Sequence, residues 1–188
     1  MYVEAELKEG NQKEAESIFR ESLANVADVG LWRVYLSFVH KKQDTQTEEG
    51  RREVKTAFEF VLENVGLDVE SAAVWKEYIQ FLKDLVPTSQ QEEGEKIVSL
   101  RKAFQKVVTR PVMGLEGLWK EYESWETELN KVAAKKIIKN FTSQYIKARS
   151  VLNEIKNLSD DIKKTFLSRP PRNQPKDVQQ VKKKLSYF

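Results

Sequence analysis

The chain has 188 residues, of which 32% are charged and 40% apolar, with no cysteine, 7 glycines and 5 prolines. Without cysteine there is no disulfide framework and no thiolate metal site, no stretch reaches the roughly 18 apolar residues of a membrane span, and residues 1–6 read as too acidic and polar for a signal peptide. Residues 1–100 carry 12 Lys/Arg against 20 Asp/Glu, a net of −8, while residues 101–188 carry 20 against 9, a net of +11. That asymmetry fits two electrostatic faces for partners, or two sets of solvated helix surfaces. Scarce helix breakers and a charged fraction above the average of about 25% suit a thin helical stack with a large surface.

In chain order, Ala15, Ile18, Phe19, Ser22 and Leu23 predict an amphipathic helix. Trp32, Tyr35 and Phe38 follow at three-residue steps, with Leu36 and Val39 widening the apolar stripe. That spacing lines one helix face, whereas on a strand it would alternate sides. A polar connection over 41–50 leads to Val54, Ala57, Phe58, Val61 and Leu62, the same offsets around a central phenylalanine as in the first helix. Trp75, Tyr78 and Phe81 then repeat the aromatic ladder, with Ile79 and Leu82 filling it. After a second polar connection over 87–94, where Thr88 or Ser89 supplies a helix cap, Leu100, Ala103, Phe104, Val107 and Val108 repeat the partner helix. Pro111 stops it. Trp119, Tyr122 and Trp125 open a third ladder, so Trp32, Trp75 and Trp119 stand 43 and 44 residues apart. From about 132 to 158 a longer helix carries Ile137, Phe141, Tyr145, Ala148, Leu152 and Ile155 as one buried stripe, with Lys135, Lys136, Lys139 and Lys147 on the opposite side. Pro170, Pro171 and Pro175 make 168–177 an extended connection. Lys184 and Tyr187 then mark the opening of a further helix, as Tyr2 marks a unit entered partway; both suggest a fragment of a longer protein.

This unit of ladder helix, loop, partner helix and turn resembles the HAT (half-a-TPR) repeat. The stretch Arg110-Pro111-Val112-Met113-Gly114-Leu115-Glu116-Gly117-Leu118-Trp119 leads on to Tyr122, Trp125, Glu126, Asn130, Tyr145, Ala148 and Arg149. It is similar to the HAT-repeat scaffold subunits of cleavage stimulation factor and cleavage factor IA, in detail over about 108–188 and more loosely elsewhere. The resemblance implies an all-α, right-handed α-solenoid of TPR-like HAT helix pairs. About four pairs would occupy 1–167, a Pro-rich connection 168–177, and a truncated further helix 178–188. It implies a nuclear, non-catalytic scaffold of pre-mRNA 3′-end cleavage and polyadenylation that docks protein subunits of that machinery without a cofactor. RNA contact would be weak or indirect. Homodimerisation in that family belongs to a C-terminal HAT domain absent from this chain. Two other readings stay open: a HAT scaffold of the spliceosome or ribosome assembly, and a direct RNA-binding module using the basic C-terminal half.

The ladder rings Trp32, Tyr35, Phe38, Trp75, Tyr78, Phe81, Trp119, Tyr122 and Trp125 admit a reading as base-stacking platforms. Their repetition at helical spacing favours a packing role. Lys135, Lys136, Lys139 and Lys147 are either a solvated exterior or a contact for a phosphate backbone or an acidic protein patch. Lys182, Lys183 and Lys184, with Arg169 and Arg172, are too few basic residues for a localisation signal. The single histidine, His40, sits at a helix end where a cation complements the dipole. No nucleophile-and-base set and no glycine-rich phosphate loop are present, so nothing in the pattern predicts catalysis.

Overall fold

The computed structural model describes residues 12–160 apart from 27 and 46, and within them there are seven α-helices and no strand. They are α1 (Gln12–Asn25), α2 (Val29–Lys42), α3 (Glu48–Val65), α4 (Ala72–Asp84), α5 (Gln90–Val108), α6 (Leu115–Leu129) and α7 (Lys131–Asp160), with a short 3₁₀ turn at Val69–Ser71. The readings at Tyr2, Arg169, Arg172, 168–177, 178–188 and Lys182 to Lys184 lie outside the described residues.

Helices pack in the order of the chain: α2 on α3, α4 on α5 and α6 on α7 within pairs, and α1 on α2, α3 on α4 and α5 on α6 between them. Contacts limited largely to neighbours define an α-solenoid. One continuous apolar core runs from Trp32 to Leu152, and a smaller cluster of Phe19, Leu31 and Phe38 closes the α1 end.

Local chemistry sets the helix ends. Asp28 caps α2 by accepting from the Leu31 amide at 2.8 Å, and Thr47 caps α3 by accepting from Gly50 at 3.1 Å. Ser89, rather than Thr88, caps α5, accepting from the Glu92 amide at 3.2 Å. Thr88 donates instead from its amide and hydroxyl to the Glu92 carboxylate, which lowers the pKa of that carboxyl. The two polar connections are therefore shorter than the composition suggests. Residues 48–50 and 90–94 are first turns of helices, because a capping oxygen satisfies the orphan amides there. At the other end of α4, the Lys96 ammonium donates to the Lys83 and Leu85 carbonyls. Gly114 precedes α6 at φ +75°, a left-handed conformation that a Cβ disfavours. Asn130 is the whole connection between α6 and α7. Its amide bonds the Glu126 carbonyl, and its side-chain oxygen accepts from Val132 and Ala133, both at 3.0 Å.

The long helix departs from expectation along its stripe. Ala148 and Leu152 are buried, but Ile137, Phe141, Tyr145 and Ile155 are only half-buried. Ile137, Phe141 and Tyr145 pack against the core, and among the described residues no later helix covers the rest.

Candidate docking surface

The ladder residues divide into rings used up by packing and rings that reach the rim. Trp32, Phe38, Trp75, Tyr78, Phe81, Trp119 and Tyr122 are buried, whereas Tyr35 and Trp125 are half-buried. The Trp75 indole N–H donates to the Gly66 carbonyl at 3.1 Å. The Tyr78 hydroxyl donates to Glu59 at 3.0 Å, and burial, then the Glu59 carboxylate, raise its pKa far above the ordinary phenol range. Tyr122 accepts from Gln105 at 3.4 Å, and burial raises its pKa too. Trp119 stacks on Tyr145 with centroids 4.3 Å apart and planes 12° from parallel. Rings held face to face and edge to face in this way leave no room for a base to stack. Pro111 is half-buried in the turn before α6, just beyond the end of α5 at Val108.

Trp125 sits at the rim beside an ion pair whose carboxylate is buried. Glu126, 1% exposed, receives Arg101 through both carboxylate oxygens at 2.6 and 3.0 Å, and the Arg101 guanidinium lies 5.7 Å over the Trp125 ring. No spacing in the sequence ties residues 25 apart on different helices, so this pair was not readable from it. Further ion pairs cross helix boundaries: Arg33 with Glu77, Lys83 with Glu121 at 2.5 Å, and Arg149 with Glu116 at 2.8 Å.

The outer surface is where chemistry remains available. Lys135, Lys136, Lys139 and Lys147 on α7 are all exposed, and none has an ion-pair partner among the described residues. Four such ammonium groups on one side of a helix form a positive stripe open to solvent. A groove of about 520 Å³ runs between α2 and α4 over Leu36, Phe58, Phe81, Leu85 and Val86. His40 lines it, edge-on to Phe81 at 6.0 Å. A second groove, of about 300 Å³, separates α3 from α5. Among the described residues no three or more His, Asp or Glu side chains converge as metal ligands would, and no helix is long and apolar enough to cross a membrane.

Comparison with known proteins gives one consistent family. The family model described as Suppressor of forked protein (Suf) matches residues 1–188. The mRNA 3′-end-processing protein rna-14 of Neurospora crassa is 35% identical over 175 residues, 90% of this chain and 15% of that protein. Cleavage stimulation factor subunit 77 of Arabidopsis thaliana is 34% identical over 179 residues, 95% of this chain and 24% of that protein. The chain thus spans between about a seventh and a quarter of the length of these two curated relatives. A crystal structure of CstF-77 superposes with a TM-score of 0.73 at 22% identity, over 86% of this chain and 34% of that one, and so shares the fold. None of these names denotes a catalyst.

Proposed function

This chain belongs to the Suppressor of forked family, and from that membership we propose that it is a non-catalytic scaffold of pre-mRNA 3′-end cleavage and polyadenylation, working in the nucleus. It docks other protein subunits of that machinery on its HAT-repeat surface and needs no cofactor. The observation that carries this reading is how the aromatic ladder is used. Seven of its nine rings are buried between helices, so recognition falls to the grooves and the charged exterior. Extended surfaces of this kind are what helical repeats offer to partners. Affinity capture from nuclear extract on the immobilised chain is expected to enrich cleavage and polyadenylation subunits. Enrichment of splicing or ribosome-assembly factors without them would sink the reading.

The unpaired lysine stripe on α7 favours a second reading, direct RNA binding through Lys135, Lys136, Lys139 and Lys147. It requires affinity that falls steeply with salt and disappears on charge reversal at Lys135 and Lys139. Weak, sequence-blind binding returns the stripe to an accessory role beside protein docking.

A further inference from the structure

Arg110 is a cation without a counter-ion among the described residues. Its guanidinium carbon lies 5.1 Å over the Trp75 ring, and its Nη1 is buried with no hydrogen-bond partner. That nitrogen is held inward against the turn after α3, where a Cβ on Gly66 would come within 2.7 Å of it. Burial lowers the Arg110 pKa, and no acidic neighbour offsets the effect. A partly buried arginine ordinarily has a carboxylate to neutralise it, as Arg101 has in Glu126.

Arg110 closes one end of the groove between α3 and α5, whose floor includes Leu62, Trp75 and Ala103. Lys102 and Lys106 stand one turn apart on the α5 side of the groove, and Arg110 lies in the turn two residues beyond the helix end at Val108. The α3 wall carries Lys55, Glu59 and Glu63; Lys55 is engaged by the Ser99 hydroxyl at 2.9 Å and Glu59 by Tyr78. The two lysines and the uncompensated arginine together call for an anion at the Arg110 end.

We propose that Arg110, with Lys106 beside it, is an oxyanion site that receives a phosphorylated serine or threonine from a partner protein, its peptide lying in the α3–α5 groove. A guanidinium already stacked on an indole has its planar fork organised in advance for phosphate oxygens. A phosphoryl group supplies nearly two charges and three acceptors at one point. Nucleic acid fits less well, because a strand along the groove would carry successive phosphates past Glu59 and Glu63. A single dianion needs the cations at one point only, and Glu59 is left to its Tyr78 hydroxyl. Phosphoserine recognition goes beyond the docking role proposed above and stands or falls separately from the identity of captured partners.

The test is an NMR titration of the ¹⁵N-labelled chain with a short alanine–glycine peptide bearing one central phosphoserine. The same peptide unphosphorylated and a short oligouridylate are titrated in parallel. The expected result is saturable movement of the Trp75 indole and Arg110 side-chain signals by the phosphopeptide. Apparent affinity should be at least about tenfold weaker for the unphosphorylated peptide, and should decline below about pH 6 as the phosphate gains a proton. Arg110→Gln should abolish the movement. Lys106→Gln, at an exposed position that leaves the fold intact, should weaken it several-fold. Equal response to the two peptides, response unchanged in Lys106→Gln, or tighter binding of the oligouridylate at the same signals would each overturn the proposal.

Discussion

Trp32 and Trp75 occupy the same slot in successive repeats, each the fourth residue of its helix and each buried. They differ in one hydrogen bond. The Trp75 N–H meets the Gly66 carbonyl at 3.1 Å, whereas the Trp32 N–H is buried with no partner among the described residues. The difference arises in the turns. Between α3 and α4 residues 66–71 intervene, including the 3₁₀ segment, and they turn the Gly66 carbonyl toward both Trp75 and the Ser71 hydroxyl, 3.3 Å away. Between α1 and α2 only residues 26–28 intervene. The repeat thus fixes where each ring packs, while its polar atom depends on a turn that the repeat does not constrain.

Alanine substitution breaks this comparison most heavily. Trp75→Ala is expected to cost about 3–5 kcal/mol in urea unfolding, for lost burial and a cavity. Trp32→Ala should cost less, since it also removes an orphan donor; an equal or larger loss there would mean that Trp32 has a partner. Next comes Gly66→Ala, whose Cβ would meet the Leu62 carbonyl oxygen at 2.2 Å and Arg110 at 2.7 Å. Overpacking of this kind costs about 1–3 kcal/mol, and an unchanged urea midpoint would show that the turn yields freely. A sharper contrast is Trp to Phe at both sites. Trp75→Phe should be destabilising by about 1 kcal/mol more than Trp32→Phe, the net value of the bond to Gly66. Identical midpoints would refute it.

The smallest effect is a slope with pH. Tyr78 keeps its proton in the folded chain well above the ordinary phenol pKa of about 10, whereas the unfolded chain releases it there. Above about pH 10 the folded state therefore holds more protons, and stability should fall as pH rises. Tyr35 and Tyr122 are shifted in the same direction, so Tyr78→Phe should make the decline shallower without removing it. Chemical denaturation across that range measures the change.

The architecture was largely legible because ring spacing reports a helix face directly. Trp75, Tyr78 and Phe81 could share a side only on a helix, and three ladders at a common interval require three stacked pairs. The solvent side of α7 was legible for the same reason, and its four lysines are exposed. Helix starts were harder. Gly50 looks like a breaker, yet its amide is the donor that Thr47 needs, and a cap is a local bond that composition averages away. Tyr35 and Trp125 pack against the core yet stay half-buried, because periodicity gives a direction on a helix without saying how deep the neighbour covers it. The Arg101–Glu126 pair and the isolation of Arg110 depend on which helices meet, and no interval along the chain encodes that.

The length of α7, the last of the described helices, has a mechanical consequence. The Arg149–Glu116 pair falls in the first turn of α6, so residues 150–160 run on past the helix that α7 folds back against. The helix also rests on α5, and it measures about 45 Å at 1.5 Å per residue. A rigid beam supported at two places behaves as a lever. A partner pulling sideways on the tip loads the α6 contact as a fulcrum, and the torque passes into α5 and the neighbouring pair. Tension on this end of the solenoid is therefore shared between repeats before any single helix has to unwind.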